Sequence, residues 1–312
     1  MRIVFWGTSD FAQPSLERIH QIGYEILYVI TAPEKQAGRG LKLNPSPVRL
    51  LAEQLNFRIL EPANPNTDDF YQRLSEETID ICVLAAYGFI IKPKLLKMPI
   101  KGFINIHPSL LPKYRGAAPI QRTIMNGEKE TGVTTFFMNE AMDAGDIILQ
   151  TKTDIDENET YDELKARLAK IGADLLISSL NSIIDTSFKP VPQDASKVIL
   201  APKIKKEHCL INWNQSSQSI HNLIRGLSSE PGAHTLFRNK RVRLIRSSKI
   251  LFTYDSTAKI NPGQIVTNKK DLVVATQDGF LQIIRLQLEG GKVITGTDFI
   301  NGQRLQKDEC FV

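Results

Sequence analysis

The first 150 residues of this 312-residue chain alternate short apolar runs with segments of helical periodicity. Such alternation predicts βαβ units, in which crossover helices join parallel strands. Run 79–87 is apolar on both faces, as expected of a central strand in a buried parallel sheet. We therefore predict an α/β fold, with a Rossmann-like, mostly parallel sheet and helices on both faces. The predicted strands are 2–7, 24–31, 57–60, 79–87 and 102–107, followed by a paired β-unit at 132–139 and 146–152. The longest predicted helix is 161–184.

Composition changes after the long helical segment. Residues 186–197, TSFKPVPQDASK, contain two prolines and few core residues, which is typical of a linker. Short alternating runs separated by turn signals follow, and they predict a small β-barrel or sandwich. We predict three parts: a catalytic domain over 1–186, a linker over 187–203, and an oligonucleotide-binding-like β-barrel over 204–312.

Charge is unevenly distributed along the chain, whose net charge is +5. Residues 203–312 carry 17 Lys and Arg against 9 Asp and Glu, whereas residues 1–202 carry 22 against 25. A basic C-terminal third indicates either a nucleic-acid contact surface or a solvated lysine-rich face. Charge alone does not decide between the two.

Composition excludes several classes of protein. No apolar run reaches the roughly 18 residues that span a membrane. The three cysteines are far apart and form no Cys-x-x-Cys pair, which argues against a disulfide framework and a zinc site. We expect a cytoplasmic protein with reduced thiols, no metal and no membrane partner. We expect no signal or transit peptide, because the first strand begins at Arg2.

The first strand–helix turn, GTSDF at 7–11, has a single glycine, so the dinucleotide-binding fingerprint is not met. The chain also has no Gly-x-x-x-x-Gly-Lys phosphate loop. These two observations argue against binding of NAD or ATP.

The stretch INIHPSLLPKYRG, residues 104–116, places two polar side chains at the end of an apolar strand. Asn105 and His107 are two residues apart and therefore point to the same face. Ligands bind at the carboxyl ends of parallel strands, and an amide beside an imidazole can stabilise an oxyanion. Ser109 lacks the Gly-x-Ser-x-Gly context of a nucleophile. The spacing alone is also consistent with a purely structural role for Asn105 and His107.

An acid that orients the histidine would come from a neighbouring loop. The segment NEAMDAGDIILQ, residues 139–150, offers Asp143 and Asp146 just before a strand. A carboxylate beside an imidazole fixes the tautomer of the ring. Spacing does not choose between the two acids.

Taken together, NIHPSLLPKYRGAAPIQ and ETGVTTFFMNEAMDAGDI resemble the catalytic core of the folate-dependent formyltransferase family. Members transfer a formyl group from 10-formyltetrahydrofolate to an amine. The resemblance implies that Asn105, His107 and Asp143 are catalytic. It also implies that two segments bind the folate, namely Tyr87, Gly88, Phe89 and Ile90, and Ser109, Leu110, Leu111 and Pro112.

The loop AGRGLKLNPSPV, residues 37–48, resembles an insertion of those family members that act on initiator methionyl-tRNA. The resemblance implies that Arg39 and Lys42 contact the tRNA. The C-terminal third likewise resembles the tRNA-holding barrel of these members. We therefore expect a monomer that formylates initiator methionyl-tRNA for translation initiation.

Two alternatives are consistent with part of this pattern. A formyltransferase acting on a small amine, such as a purine-pathway ribonucleotide or an amino sugar, would share the three catalytic residues. It would lack the 37–43 insertion and have no need of a basic barrel. A non-catalytic tRNA-binding protein with this fold would be expected to have lost one of Asn105, His107 and Asp143, yet all three are present.

Overall fold

The computed structural model of the chain describes residues 1–37, 42–185, 187–251, 260–267, 270–306 and 308–312. They form two compact units, each made of three segments. The first unit comprises Met1–Gly116, Thr131–Thr153 and Lys165–Leu200. The second comprises Ala117–Glu130, Asp154–Leu164 and Ala201–Val312.

Within the described residues, nine strands precede the long helix. They are β1 (Arg2–Gly7), β2 (Glu25–Ile30), β3 (Lys35–Ala37), β4 (Lys42–Asn44), β5 (Ile59–Leu60), β6 (Ile81–Ala85), β7 (Phe103–His107), β8 (Glu130–Phe137) and β9 (Ile147–Asp154). Seven of them form one sheet in the order β5-β2-β1-β6-β7-β8-β9, and β3 pairs with β4. The first four pairings of the large sheet are parallel, and β7 pairs antiparallel with β8. The predicted mostly parallel sheet is thereby confirmed.

Helices cover both faces of this sheet. The α-helices in the described part of the chain are α1 (Gln13–Ile22), α2 (Pro47–Gln54), α3 (Asp68–Ser75), α4 (Pro93–Leu96), α5 (Pro119–Met125), α6 (Tyr161–Ile184), α7 (Ser217–Gly226) and α8 (Gly296–Gln303). On one face, Leu74 of α3 and Leu95 of α4 share a core with Trp6. On the other, Gly172 of α6 lies so close to Ile106 that an added Cβ would be 2.9 Å from its Cγ2 atom.

The second unit contains an antiparallel sheet. Its strands are β10 (Ala233–Phe237), β11 (Lys240–Ile250), β12 (Leu272–Ala275), β13 (Phe280–Leu288) and β14 (Val293–Thr295). The order is β10-β11-β13-β12, and β14 also pairs with β13. Alternate side chains of β11, Val242 and Leu244, are fully buried in a core shared with Ile220 and Ile224 of α7. This C-terminal half-barrel agrees with the predicted fold class.

Some local features differ from expectation. The segment expected to be a loop, residues 37–48, includes β4, which pairs antiparallel with β3 just before it. Helix α3 was not predicted, because its short sequence has few apolar residues; the Thr67 side chain caps it by accepting from the Phe70 N–H. Segments 117–130 and 154–164 belong to the second unit, although they lie within the predicted first domain. The domain boundaries stay a prediction.

None of the helices in the described ranges combines the length and the apolar character needed to cross a membrane.

Candidate active site

Strand β7 carries two polar residues to the carboxyl end of the sheet. Asn105 is paired with Leu84 of β6 and Phe136 of β8, and His107 is paired with Thr134 of β8. The alternation of the strand turns Asn105 and His107 to one face, while Ile106 faces α6. The two side chains therefore lie where ligands bind in open α/β sheets.

The imidazole of His107 is fixed in orientation. The residue is 4% exposed, and its Nε2 atom lies 2.9 Å from the carbonyl oxygen of Tyr114. Because a carbonyl oxygen only accepts, Nε2 must carry a proton in this arrangement. The other nitrogen, Nδ1, lies 3.7 Å from Oδ2 of Asp143. The ring thus has an acceptor near each of its nitrogens.

Asp143 lies in the loop between β8 and β9. Its Oδ2 atom accepts a 2.8 Å hydrogen bond from the backbone N–H of Gly116. Gly145, two residues on, permits the close approach of this loop to β8, since a Cβ there would lie 1.6 Å from the carbonyl oxygen of Phe137. Asp146 is exposed. The structure therefore brings Asp143, and not Asp146, to His107.

The amide of Asn105 is half-buried beside this pair. Within the described ranges, its side chain makes no hydrogen bond to the protein. An amide at a strand end with unused donors and acceptors can bind polar atoms of a ligand. The site thus presents an amide, an imidazole and a carboxylate near one another.

The segment 87–90 follows β6 at the same end of the sheet. The Tyr87 ring packs edge-on against Trp6, with 5.2 Å between ring centroids, and burial raises the pKa of the Tyr87 hydroxyl far above its usual range. Gly88 has a φ of +86° with open space at its Cα, Phe89 is half-buried, and Ile90 is 86% exposed. An apolar, accessible edge therefore borders the site.

Two side chains hold this segment in place, and the sequence analysis identified neither of them. The Thr8 hydroxyl donates to the carbonyl oxygen of Tyr87 at 3.1 Å, and it accepts from the Ala32 N–H at 3.2 Å. The Asn66 amide donates to the carbonyl oxygen of Ile90 at 2.9 Å and accepts from the Lys92 N–H at 2.8 Å. Thr8 lies in GTSDF, the first strand–helix turn, which the sequence marks as a place where ligands could bind. Asn66 lies in a loop that carries no recognisable motif.

The segment Ser109–Pro112 is held by hydrogen bonds to Lys113 and to Thr134 of β8. The buried Ser109 hydroxyl donates to the carbonyl oxygen of Lys113 at 2.7 Å, so it serves the loop. The Thr134 hydroxyl of β8 donates to the Ser109 carbonyl at 2.6 Å and accepts from the Leu111 N–H at 3.1 Å. Leu110 is half-buried and Leu111 is buried. Nothing in the sequence distinguishes Thr134 from the other polar residues of its strand.

The residues predicted to contact tRNA lie near the edge of what the structure describes. Arg39 falls outside the described residues, and Lys42 is the first residue of β4. The base of this loop is ordered by a 2.7 Å hydrogen bond between the hydroxyls of Thr31 and Ser46.

The second unit presents arginines on the outer face of its sheet. Arg243 and Arg246 of β11 are paired with Gln287 and Arg285 of β13, on the side opposite the buried leucines of these strands. Arg246 forms an ion pair with Glu163 at 3.0 Å. Arg241 and Arg285 are exposed and have no acidic partner among the described residues. This face is defined here as the arginine face: Arg241, Arg243, Arg246 and Arg285.

Across the described parts of the chain, no three His, Cys, Asp or Glu residues are grouped as metal ligands would be.

Comparison with known proteins places this site in context. The model of the formyl transferase family matches residues 1–180, and that of the formyl transferase C-terminal domain matches residues 203–304. The methionyl-tRNA formyltransferase of Carboxydothermus hydrogenoformans is 41% identical over 313 residues, covering 100% of this chain and 99% of the relative. That of Thermodesulfovibrio yellowstonii is 37% identical, covering 98% and 97% of the two chains.

Solved structures share the fold at lower identity. HypX from Aquifex aeolicus in complex with tetrahydrofolic acid has a TM-score of 0.68 and 17% identity, over 99% of this chain and 48% of that one. Methionyl-tRNA formyltransferase from Clostridium thermocellum has a TM-score of 0.58 and 18% identity, over 80% and 93% of the two chains.

Proposed function

The chain belongs to the formyl transferase family, among the methionyl-tRNA formyltransferases, and we propose that it transfers the formyl group of 10-formyltetrahydrofolate to the amino group of initiator methionyl-tRNA. The chain is thus a formyl-transferring enzyme of protein biosynthesis. The observation that carries the proposed site is the 3.7 Å approach of Asp143 to His107 at the end of the strand that also carries Asn105.

In the proposed reaction the uncharged amine attacks the formyl carbon. A carbon–nitrogen bond forms and negative charge develops on the formyl oxygen. The attacking nitrogen then loses a proton, the bond to the folate nitrogen breaks, and the folate nitrogen takes up one proton, so the proton count balances. The Asn105 amide donates a hydrogen bond to the oxygen, and a protonated His107 ring supplies positive charge. The Asp143 carboxylate, 3.7 Å from the ring, balances that charge.

The formyl donor is proposed to bind along segments 87–90 and 109–112. Both follow strands that end beside Asn105, and a flat heterocycle suits an apolar edge with nearby backbone donors and acceptors. The exposed side chain of Ile90 and the open space at Gly88 support this placement. Side chains from elsewhere in the first unit hold both segments: Thr8 and Asn66 bond to the first, and Thr134 bonds to the second.

The acceptor is proposed to be held by Arg39 and Lys42 and by the second unit. The relatives named methionyl-tRNA formyltransferase match nearly the whole chain, including its basic third. Arg241 and Arg285 on the arginine face have the charge and exposure that phosphate contacts need. We propose that the enzyme acts as a monomer in the cytoplasm.

The test offers the enzyme 10-formyltetrahydrofolate with one of two acceptors: charged initiator tRNA, or a small amine such as an amino-sugar nucleotide. We expect formylation of the methionyl-tRNA and no appreciable turnover of the small amine. Preferential turnover of the small amine would contradict the proposed acceptor, while leaving the formyl-transfer site intact.

A further inference from the structure

The segment predicted as a linker is packed against the loop that carries Asp143. Val191 and Ile147 exchange two backbone hydrogen bonds, each 2.8 Å long. Farther on, the carbonyl oxygen of Ile199 accepts from the Arg115 N–H at 2.9 Å. Residues 191–199 are therefore tied at both ends to segments that flank the catalytic histidine and acid.

Between these two attachments, the amide of Gln193 reaches the Asp143 loop. Its Nε2 atom donates to the carbonyl oxygens of Asp143, at 2.9 Å, and of Gly145, at 2.7 Å. Its Oε1 atom accepts from Nε and Nη2 of Arg115, at 3.0 and 2.7 Å. Both donors and the acceptor oxygen of the amide are thus in use.

The guanidinium of Arg115 determines which way this amide points. A guanidinium only donates, so Oε1 must face Arg115 and the NH₂ group must face the loop. The next residue, Gly116, donates its N–H directly to the Asp143 carboxylate. Asp143 is consequently held at its side chain by Gly116 and at its main chain by Gln193.

Asp143 needs such support because its backbone is in the left-handed region, with a φ of +50°. A rotation there would swing the carboxylate away from His107. We propose that Gln193, oriented by Arg115, is a positioning residue that sets the place of Asp143 beside His107. The segment that leads to the C-terminal unit therefore takes part in building the active site. This inference rests on the proposed function.

The experiment uses the full-length enzyme and five variants. Gln193→Met removes all the hydrogen bonds of the side-chain amide while keeping a similar side-chain length. Gln193→Glu keeps an acceptor for Arg115 but has no NH₂ group for the loop carbonyls. Asp143→Asn and the double variant Asp143→Asn with Gln193→Met complete a cycle. Gln13→Met is the control, since it removes an amide-to-carbonyl bond to Pro47, 2.8 Å long, elsewhere in the first unit.

We expect Gln193→Met to lower kcat by about 10- to 100-fold with KM for both substrates little changed, because a displacement of about 1 Å in an active site has effects of this size. Gln193→Glu should be equally slow. The double variant should be no slower than Asp143→Asn alone, because the amide acts through Asp143. Gln13→Met should keep the wild-type kcat.

Two results would overturn the inference. One is wild-type kcat in Gln193→Glu, which would show that the amide only anchors Arg115. The other is multiplication of the two single effects in the double variant, which would show that Gln193 acts independently of Asp143. Thermal unfolding of each variant shows whether it is folded, and Gln193→Glu remains informative if Gln193→Met does not fold. Absence of formyl transfer by the wild type would instead contradict the proposed function.

Discussion

The Oδ2 atom of Asp143 lies 3.7 Å from Nδ1 of His107 and accepts a 2.8 Å hydrogen bond from the backbone of Gly116. The carboxylate is therefore held by the loop that follows β7, and it approaches the ring without a direct hydrogen bond to it. Because His107 also donates to Tyr114, the segment 107–116 fixes both members of the pair. The segment 107–116 therefore holds the carboxylate of Asp143 close to the ring of His107.

The two acids of the β8–β9 loop should differ sharply in their effects. Asp143→Asn removes the negative charge opposite His107 and should lower kcat by about 100-fold, as expected for one preorganised electrostatic group. Asp146→Asn is the matched control, because that residue is exposed, and it should keep the wild-type kcat. Equal kcat values in the two variants, measured by formyl transfer, would refute the choice of Asp143.

The Asn66 amide should govern affinity for the formyl donor. Asn66→Ala removes the hydrogen bonds of this amide to Ile90 and Lys92, each of which stabilises the structure by a net value of about 1 kcal/mol. Their loss loosens the 87–90 segment. We expect KM for the donor to rise about tenfold, with kcat unchanged. Asn181→Ala is the control, since it removes a hydrogen bond to Tyr24 in the same unit. An unchanged donor KM in Asn66→Ala would argue against folate binding at this segment.

The arginine face should contribute to the salt dependence of tRNA binding. Replacing both Arg241 and Arg285 by Gln should weaken binding and reduce the slope of log K against log salt by about 1 for each phosphate that is no longer neutralised. These substitutions are preferable to deletion of 203–312, because 117–130 and 154–164 pack with that region. Arg18→Gln is the control, as Arg18 pairs with Asp174 in the first unit. A slope unchanged from wild type would exclude this face as a tRNA surface.

The stability of the second unit should decrease in mild acid because of His221. Burial lowers the pKa of this residue, which bonds to Ser247 and to the carbonyl oxygen of Glu157 and has Arg225 and Lys249 as nearby cations. The unfolded chain therefore takes up a proton first as the pH falls. The contribution of neutral His221 to the free energy of unfolding is complete above the ordinary histidine pKa of about 6.5. It is lost as the pH falls through the lowered pKa of the folded state.

Denaturant unfolding between about pH 7.5 and 5 measures this effect. The free energy of unfolding should fall with pH more steeply in the wild type than in His221→Gln. Parallel pH dependences in the two proteins would show that His221 does not cause the decrease.

The sequence predicted the central sheet because its strands are continuous apolar runs, as in Ile81–Ala85, whose five residues are all buried. It also predicted which residues meet at the end of β7, since alternation puts Asn105 and His107 on one face. It did not predict helix α8, whose first turn follows β14 directly and begins with the Thr295–Asp298 capping box.

The supporting side chains were harder to predict for a physical reason. Gln193, Asn66 and Thr134 each act through a few hydrogen bonds, mainly to backbone atoms far along the chain. Such bonds leave no periodicity, and polar residues in Pro-rich or turn segments are normally solvated. Only the tertiary structure shows that the residue 193 amide reaches residue 143.

Formyl transfer by the wild type and by His107→Ala, measured alongside tRNA binding by both, tests the central claim most directly. The wild type should formylate initiator methionyl-tRNA from 10-formyltetrahydrofolate. His107→Ala should bind the same tRNA with little change in affinity and show transfer reduced by at least about 100- to 1,000-fold, the cost of losing one group that stabilises the oxyanion. Near-normal turnover in His107→Ala would contradict the assignment of this site.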